Sequence, residues 1–374
     1  MPDTQYRLFF DNSPAAQQQL DMIAEIVVEQ EVDMAWEARF KIPISADEQG
    51  NWIGEDDNIL QPFTRARVEV RIGTEPYVPL FDGAIMEFES QMSSQPGQST
   101  LTLIAQDDSF FMNRIEQVVA FENLLDHEVV EQIYSDYGDL VAATQVDNTP
   151  ASGSALPPLV VQRGTAMDIL RFLARRQGMH AYVLPGENPG DSIGCFKPFA
   201  TSPNGLPPLI LLGAERNIDA LQVRYHAGKP SDAAASTLRI TDKQVVDEMS
   251  RSSDVELMGD ETAEDSSQAA LQLLLPRQGE SVDLRQAADA VVNAASYAYE
   301  ASGSVLPETY TAVLQPYQVV TVKAGNTTFS GDYLIMKSTH TITRSGYSQS
   351  FTLTRNARSA RYAGGQSSVP GGIF

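Results

Sequence analysis

A run of alternating residues near the C-terminus constrains the fold of this chain more than any other feature. Between Gln315 and Asn356, four short segments of strand-like composition follow one another, and turn residues close each of them. In the last segment, Tyr347, Phe351 and Leu353 alternate with serine and threonine. A period of two is typical of a strand with one buried and one solvated face. The run therefore predicts a small antiparallel β-structure.

A similar pattern fills the N-terminal part of the chain. Apolar residues alternate with charged ones from Trp36 to Ile42 and again from Arg67 to Ile72. Residues 5–112 contain several such segments separated by turns, which favours a small closed barrel or sandwich. The sequence thus predicts a β-rich α+β fold with two similar small antiparallel β-barrel domains and an α/β insert between them.

The middle of the chain changes to helical spacing. Thr165 and Asp168 form a capping box that starts a helix, and Gly178 ends it. Further helices are predicted over residues 125–137 and 285–298. The predicted units are a first barrel domain at 1–112, an α/β insert at 113–205, a second barrel domain at 206–245 with 305–356, an acidic loop and helical insert at 246–304, and a flexible tail at 357–374.

The charge of the chain is unevenly distributed. The formal net charge is −23, but residues 315–374 carry six basic side chains against one acidic one, a net +5 that leaves −28 for residues 1–314. A basic segment on an acidic body favours charge-complementary docking, with another copy or a partner; ordinary surface variation is the alternative. The candidate interface residues are Lys323, Lys337, Arg344, Arg355, Arg358 and Arg361. Trp52 joins them as an aromatic anchor in a polar, glycine-containing loop.

Composition disfavours several classes of function. A phosphate-binding surface needs clustered Lys and Arg, so direct nucleic-acid binding is not expected. No apolar run approaches the roughly 18–20 residues of a spanning helix, and no signal peptide is apparent, so membrane insertion is not expected. The lone Cys195 excludes a disulfide within the chain and is interpreted as a buried, inert thiol. The four histidines are far apart, so no metal site is predicted. Neither a GxSxG nucleophile elbow nor a P-loop is present, and no catalytic residue or cofactor is predicted.

Two acidic motifs were considered as sites. Glu87 and Glu89 lie two residues apart in a strand, about 7 Å from each other, which falls within the range of about 5 to 9.5 Å used by glycosidases. They are interpreted as a solvated outer face, because the neighbouring apolar residues point the other way. Asp107 and Asp108 follow a strand and could bind a cation, but such a pair more often forms a turn.

Three segments resemble the late-control protein D family, which includes the central hub of contractile phage baseplates and the N-terminal part of VgrG. Residues 68–111, with PLFDGAIMEFE and the start of STLTLIAQDDSFFMNR, resemble its first barrel. The helix at 166–178 and the following MHAY resemble its LRxLAxxxG helix and strand, and residues 321–356, with FSGDY, resemble its second barrel. Pro316-Tyr317 stands where the family usually has a Pro-Gly turn, which leaves the geometry of that turn open.

The resemblance implies a structural protein and not an enzyme: the trimeric central hub of a contractile phage tail or contractile injection system. Such a hub, made in the cytoplasm and assembled into a baseplate, joins a sixfold tail tube to a threefold central spike, because three copies with two barrels each present six barrels. The implied partners are the chain itself as a homotrimer, the tail tube protein and the central spike protein, with baseplate wedge proteins, a tape measure or cargo as further candidates. A tail-associated cell-wall hydrolase and a host-surface glycan-binding module are the alternatives.

Overall fold

The computed structural model describes residues 4–47, 49–50, 52–53, 61–95, 97–151, 158–238, 242–263, 269–274 and 283–359. Its N-terminal elements are β1 (Thr4–Phe10), β2 (Ser13–Pro14), α1 (Gln17–Met22), β3 (Glu25–Glu31), β4 (Glu37–Pro43), β5 (Ser45–Ala46), β6 (Trp52–Ile53), β7 (Arg65–Ile72), β8 (Val78–Gln91) and β9 (Thr100–Asp107). The middle elements are α2 (Ser109–Met112), β10 (Gln117–Glu122), α3 (Asp126–Asp136), β11 (Val141–Val146), β12 (Leu159–Gly164), α4 (Ala166–Gln177), β13 (His180–Pro185) and β14 (Ser192–Lys197). The C-terminal elements are β15 (Leu209–Ile210), β16 (Ile218–Tyr225), β17 (Ser231–Leu238), β18 (Val245–Ser250), β19 (Glu261–Thr262), β20 (Ala270–Leu274), α5 (Leu284–Ala295), β21 (Tyr299–Val305), β22 (Val319–Lys323), β23 (Gly331–Thr343), β24 (Gly346–Arg355) and β25 (Ala357–Arg358).

One sheet of 13 strands joins the two ends of the chain. Its strand order is β16-β21-β24-β23-β3-β4-β9-β8-β7-β1-β2, with β22 pairing the first part of β23 and β15 pairing β22. Most pairs in it are antiparallel, and β15–β22 is parallel. The prediction of a β-rich fold is confirmed.

The two closed barrels are not found in the described part of the chain. The path of paired strands runs from β16 to β2 without closing, and β15 ends the branch through β22. The halves merge because β23 is long enough to pair with strands of both. Its residues 331–334 pair with β22, whereas residues 337–343 pair with β3. A strand that changes partner along its length fuses the two predicted barrels into one hydrogen-bonded sheet.

The same three-strand unit occurs once in each half of this sheet. We call β7–β8–β9 the first unit and β22–β23–β24 the second unit. In the first unit the register between β8 and β9 shifts after Ile85, so that Met86 is the extra residue; in the second unit the register between β23 and β24 shifts after Ile335 at Met336. A bulge bends a strand and strengthens its twist, so both long strands bend at an equivalent Ile-Met step.

The equivalence extends to the residue that leads into each unit. Phe63 and Tyr317 both adopt the left-handed conformation, with φ values of 68° and 66°. The backbone N–H of Phe63 donates to Ile85 O at 2.8 Å, and that of Tyr317 donates to Ile335 O at 3.2 Å. Both follow a Gln-Pro pair in the sequence. Tyr317 therefore keeps the backbone conformation that glycine would adopt most easily, so the departure from Pro-Gly leaves the turn intact.

Alternating burial confirms the predicted strands. Ala38, Phe40 and Ile42 are buried on β4, and Tyr347, Phe351 and Leu353 are buried on β24. The first set packs in the core of the N-terminal half, together with Tyr347 and Ile342, whereas Phe351 and Leu353 pack in the core of the second unit. The strand β3 was absent from the prediction although it connects the halves.

The segment predicted as an α/β insert contains α3, α4 and the hairpin β13–β14. Helix α4 begins after Thr165, whose side chain accepts from the backbone N–H of Asp168, and it ends at Gly178 in the left-handed conformation. Helix α3 and the hairpin β13–β14 pack with α4 around a common core. Tyr134 is fully buried there and its hydroxyl donates to Cys195 O at 2.9 Å. Burial raises the pKa of the Cys195 thiol to about 12, which fits the interpretation of an inert thiol.

Two C-terminal segments differ from their predictions. The acidic loop is not fully solvated: Met258 and Ala263 are buried in it, and β19 pairs with β25. The predicted flexible tail begins with that strand, β25, and residues 360–374 lie outside the described residues. The loop is held because Asn356 accepts from the backbone N–H of Met258 at 2.9 Å and donates to Glu256 O at 3.0 Å.

A small separate sheet covers helix α5. It has the order β18-β17-β20, so β17 lies outside the main sheet although residues 206–245 were assigned to the second barrel. Ala233 of β17 packs against Ala288 and Val292 of α5. Conversely, β21, assigned to the helical insert, pairs with β24 in the main sheet.

Candidate functional site

The exposed basic residues of the C-terminal segment are spread along the full length of β23. Lys323 is exposed at the end of β22, beside the start of β23. Arg344 follows the other end of β23 and donates to Asp21 O at 2.7 Å. A strand of 13 residues spans about 40 Å, so Lys323 and Arg344 cannot contribute to one small patch.

Two further basic residues are paired within the chain. Lys337 lies 3.0 Å from Glu29 and 3.2 Å from Glu31 on the neighbouring β3, and the hydrogen bond to Glu29 raises the pKa of Lys337. Arg358 of β25 lies 2.8 Å from Glu261 of β19. Both pairs are partly exposed, and such pairs contribute about 0–1 kcal/mol to stability. These residues remain candidates for a contact surface.

Arg355 does not fit the predicted interface, because its side chain is fully buried. Its Nη1 donates to Ser330 O at 3.0 Å and its Nη2 donates to Met258 O at 2.9 Å. The guanidinium also lies 4.8 Å from the centroid of the Tyr333 ring. The prediction that Arg355 belongs to an interface is wrong, because a side chain without exposed surface has none to offer a partner. It ties the acidic loop to the second unit.

The remaining two candidates are Trp52 and Arg361. Trp52 lies on β6 and is half-buried, packed against the core of the N-terminal half. Its role as an interface anchor stays a prediction. Arg361 lies outside the described residues.

A buried ion network connects the first unit to the α/β insert. Asp82 accepts from Arg65 at 2.7 Å, from Arg67 at 3.0 Å and from the backbone N–H of Gly190 at 2.9 Å. Asp82 and Arg67 are each 2% exposed. Arg67 also donates to the backbone carbonyls of residues 187 and 188, in the β13–β14 turn. The turn of the insert therefore docks on the face of β7 that the alternating pattern assigned to solvent.

The two aspartates after β9 serve the backbone and this network. Asp107 accepts from the backbone N–H of Trp36 at 2.6 Å and from the backbone N–H of Ser109 at 3.0 Å. Burial raises the pKa of Asp107 to about 6. Asp108 accepts from Arg65 at 2.8 Å and from the Ser192 hydroxyl at 2.7 Å. Both side chains have local partners, and no group of three or more potential metal ligands occurs among the residues described.

A polar chain crosses the junction between the two halves. The Nε2 of Gln30 on β3 donates to Leu80 O at 2.7 Å, so its Oε1 is free to accept from His340 Nε2 at 3.1 Å. The other ring nitrogen of His340 lies 2.8 Å from the Tyr347 hydroxyl and accepts from it. Burial lowers the pKa of His340 to about 3, so the ring is neutral. His340 is a positioning group and not an acid or base open to substrate.

Tyr317 lies where the two halves meet the insert. Its ring stacks on Tyr182 of β13 with centroids 3.6 Å apart and an interplanar angle of 7°. Its hydroxyl accepts from the backbone N–H of Asp33 at 2.9 Å. Beside it, His180 stacks on Phe199 at 3.6 Å and contacts the Asp33 carboxylate at 3.0 Å. The strained backbone at Tyr317 is therefore held by contacts from two other parts of the chain.

A cleft of about 630 Å³ opens next to this junction, between α4 and α5. Its walls include Phe199, Tyr297, Asn293, Arg175 and Lys229. Burial lowers the pKa of Lys229. The Thr201 hydroxyl, which also lines the cleft, donates to the Glu256 carboxylate at 2.9 Å. Glu87 and Glu89 lie elsewhere, exposed on β8, and a pair of carboxylates open to water lacks the enclosed site that glycoside hydrolysis uses.

Sequence reasoning missed the arginines and the glutamine that connect the units. Arg67 and Glu69 were assigned to a solvated face, but both are buried. The available signal was Asp82, an acidic residue amid apolar neighbours in a strand, because a buried carboxylate requires a cationic partner. Nothing local marks Gln30, whose partners Leu80 and His340 are 50 and 310 residues away.

The fold occurs in proteins of phage tails and of a secretion system. A tail protein from Neisseria meningitidis superposes with a TM-score of 0.62 at 12% identity, covering 94% of this chain and 96% of that protein. The 43 kDa tail protein of a Shewanella oneidensis prophage gives 0.61 at 13% identity, covering 95% and 99%. An E. coli component of the type VI secretion system, itself similar to the T4 bacteriophage tail proteins gp27 and gp5, gives 0.51 at 12%, covering 94% and 76%.

The sequence itself matches neither a protein-family description nor a curated protein. At these identities the likeness establishes the fold, which extends over nearly the whole chain in the two tail proteins. In the described residues, no helix has the length and apolar character needed to cross a bilayer.

Proposed function

We propose that this chain is a structural hub protein of a contractile phage tail or contractile injection system. Three copies would join the sixfold tail tube to the threefold central spike. The observation that carries the proposal is the repeated strand unit, with its paired left-handed aromatic residues and paired bulges. The full-length likeness to two tail proteins supports it.

The repeat matters because of symmetry. A trimer of a chain with one unit per sheet half presents six units, which can face a sixfold ring, while the three chains as wholes can face a threefold spike. In this arrangement each unit takes the position that a barrel was predicted to occupy, although both units belong to one continuous sheet. The partners are a tail tube protein and a spike protein, with wedge proteins, a tape measure or cargo as further ones.

The connections between the units suit a part that transmits load. The Asp82 network is buried, the Gln30–His340–Tyr347 chain is buried, and Tyr317 bridges three parts of the molecule. A buried polar chain whose donors and acceptors are paired, as in the Gln30–His340–Tyr347 chain, rigidifies a structure. A rigid adaptor keeps the tube and the spike in a fixed relation, and the proposal assigns no catalytic step to any residue.

The test is the mass and shape of the purified chain. A single chain has a mass of 40.9 kDa, so a trimer should measure about 120 kDa by light scattering and form a ring with a central opening in electron micrographs. Mixing with the spike and tube proteins of the same particle should give complexes of three chains with one spike. A monomer that degrades peptidoglycan or binds host glycans would contradict the proposal and favour one of the alternatives.

A further inference from the structure

The cleft between α4 and α5 has a wall of aromatic and aliphatic side chains. Its volume of about 630 Å³ falls within the range of about 300–1,000 Å³ that is usual for small-molecule sites. Phe199 and Val255 line it and are only partly buried. The Phe199 ring meets the Tyr297 ring edge-on, with centroids 5.7 Å apart, and Val291 of α5 adds aliphatic surface. An apolar body in the cleft would pack against these side chains.

The hydroxyl of Tyr297 is a donor that has no acceptor in the described part of the chain. Tyr297 is 5% exposed and lines the cleft. Burial raises the pKa of Tyr297 to about 12, so the hydroxyl keeps its proton at neutral pH. A buried tyrosine hydroxyl usually finds a partner. This hydroxyl therefore favours a ligand that brings an acceptor into the cleft.

Two more side chains that line the cleft have donors to spare. The Nε of Arg171 is buried and has no acceptor within the described ranges. The Oδ1 of Asn293 accepts from the backbone N–H of Asp254 at 2.9 Å, which fixes the orientation of this amide because an N–H can bond only to its oxygen. The Nδ2 of Asn293 is then a donor, and it has no acceptor among the residues described.

The acidic side chains of the cleft already have donors within the chain. The Asp33 carboxylate lies 3.0 Å from His180 Nδ1, and the Glu256 carboxylate accepts from the Thr201 hydroxyl at 2.9 Å. Gln272 contributes one further acceptor, its side-chain oxygen, because its Nε2 donates elsewhere. The side-chain groups that remain are mostly donors, so the cleft selects a ligand that accepts hydrogen bonds.

The charged residues that line the cleft are three bases, Arg171, Arg175 and Lys229, against the two carboxylates that have local donors. Lys229 makes no ion pair within 4 Å in the described residues. Burial lowers the pKa of Lys229, and the more distant charge of Glu300 offsets this only in part. An ammonium group that loses hydration without gaining an ion pair is stabilised by an anion bound beside it. The ligand favoured by the cleft is therefore anionic.

A second cavity, of about 770 Å³, shares Lys229 and Tyr297 with the cleft. Because both residues line the same two cavities, they lie near each other. The wall of the second cavity also contains Glu31 and Glu300, and its other lysine, Lys337, lies 3.2 Å from Glu31. Those carboxylates repel an anion from the second cavity, so the side of the cleft is favoured.

We propose that the cleft between α4 and α5 binds a carboxylate carried on an aromatic body. Lys229 and the Tyr297 hydroxyl hold the carboxylate, and the aromatic ring packs against Phe199 and Val255. Free aromatic acids have this chemistry, and so do peptides that end in an aromatic residue. The site lies within one chain, so it goes beyond the proposed hub and does not depend on assembly.

Titration calorimetry of the full chain with naphthoate, and with its neutral isostere naphthamide, tests the charge. Naphthoate should bind about tenfold more tightly or better, because a charge-assisted hydrogen bond is stronger than a neutral one. Lys229→Met should lower the affinity for naphthoate about tenfold and leave that for naphthamide unchanged. Lys323→Met removes the same charge from an exposed position outside the cleft and should bind naphthoate like the wild type. Equal affinities of the wild type for acid and amide would overturn the proposal, and so would a Lys229→Met variant that binds naphthoate normally.

Tyr297→Phe separates binding from folding. It removes one oxygen without a partner in the described residues, so the unfolding temperature without probe should not change, whereas the affinity for naphthoate should fall about tenfold. Lower stability with unchanged affinity would mean that the hydroxyl serves the fold, and would overturn the proposal.

The source of the carboxylate is distinguished with acetyl-Ala-Phe and its C-terminal amide. Tighter binding of the acid form of this peptide than of naphthoate supports the proposal with a peptide end as the source, and binding of naphthoate alone supports it with a free acid. A wild-type chain that binds neither acid would overturn the proposal and leave the hub proposal standing.

Discussion

The two strand units have the same register but bury opposite charges at the equivalent position. Asp107 lies two residues after Ala105, the partner of Ile85, and Arg355 lies two residues after Leu353, the partner of Ile335. Asp107 accepts from backbone N–H groups, whereas Arg355 donates to backbone carbonyls. Both side chains form hydrogen bonds with backbone groups of the loops beside them. The two units therefore share their strand geometry but differ in their polar contacts, which depend on the neighbouring loops.

A second equivalent pair shows the same division. Asp82 in the first unit is opposite Arg67, and Asp332 in the second is opposite Thr321. Asp82 accepts hydrogen bonds from two arginines and from the turn of the insert. Within the described residues, the Asp332 side chain accepts only from the Thr321 hydroxyl, at 2.6 Å. The first unit is thereby connected to the insert by charge, and the second is connected through the stacked ring of Tyr317.

The largest expected difference is between Asp82→Asn and Asp332→Asn. Loss of the Asp82 charge should lower the free energy of unfolding by about 3–4 kcal/mol, because Arg65 and Arg67 stay buried with less compensation. Asp332→Asn should cost about 1 kcal/mol, the value of one ordinary hydrogen bond. Urea unfolding of both variants measures the difference. Equal losses of unfolding free energy in the two variants would contradict the proposed difference between the units.

The charge difference also predicts different pH dependence. Burial raises the pKa of Asp107 to about 6 from 3.8, so the folded chain binds this proton more tightly than the unfolded chain. The contribution of Asp107 to stability is therefore full below pH 4 and is lost as the pH rises through 6. Relative to Asp107→Asn, the wild type should lose up to about 3 kcal/mol between pH 4 and pH 7.

Unfolding curves of wild type and Asp107→Asn across that range isolate this group, because other titrating residues are common to both. Parallel pH profiles for wild type and Asp107→Asn would show that Asp107 is not protonated more readily in the fold.

Arg355→Met is expected to have an intermediate effect of about 2 kcal/mol. It leaves the Met258 carbonyl without its donor, at about 1–3 kcal/mol, whereas the Ser330 carbonyl keeps the Ser359 hydroxyl as a donor. The loss is partly offset because a charge is no longer buried. Arg358→Met is the matched control, since its ion pair with Glu261 is half exposed and should cost less than 1 kcal/mol. Faster proteolysis within residues 254–263 in Arg355→Met alone would show that the acidic loop has been released.

The strands and helices were predictable where one chemical pattern decides them. The alternation on β4 and β24 and the cap of α4 by Thr165 reflect local physics, and they are as predicted. Arg355 was assigned to the surface because a sequence shows that a residue is basic but not which carbonyls surround it. Arg67 was misassigned for the same reason, since its cover comes from a turn about 120 residues away.

The repeat itself was only half recognised. Two closed barrels were predicted because each segment alone has enough strands to form one. In the structure β23 pairs with both β22 and β3, and the sequence of β3 does not indicate a strand. The sequence contains Gln-Pro-aromatic at 61–63 followed by Ile-Met at 85–86, and the same two motifs at 315–317 and 335–336. Only the second aromatic residue, Tyr317, stands out locally, because it departs from Pro-Gly.

The smallest expected effect is that of Phe63→Gly, at the aromatic residue that leads into the first unit, and Tyr317→Gly in the second unit is its counterpart. Phe63→Gly removes a half-exposed ring and relieves a left-handed backbone, which costs a residue other than glycine about 1–2 kcal/mol. The isolated chain should therefore keep its stability or gain about 0.5–1 kcal/mol. Tyr317→Gly relieves the same conformation but loses the stack on Tyr182, the hydrogen bond from the Asp33 N–H and the packing on the N-terminal core, so it should be destabilised by about 2–4 kcal/mol. Thermal unfolding of both glycine variants at a concentration where the chain is monomeric compares them directly. Losses of the same size at both positions would mean that Phe63 is already covered within one chain, and that the two units are more alike than their exposed surfaces indicate.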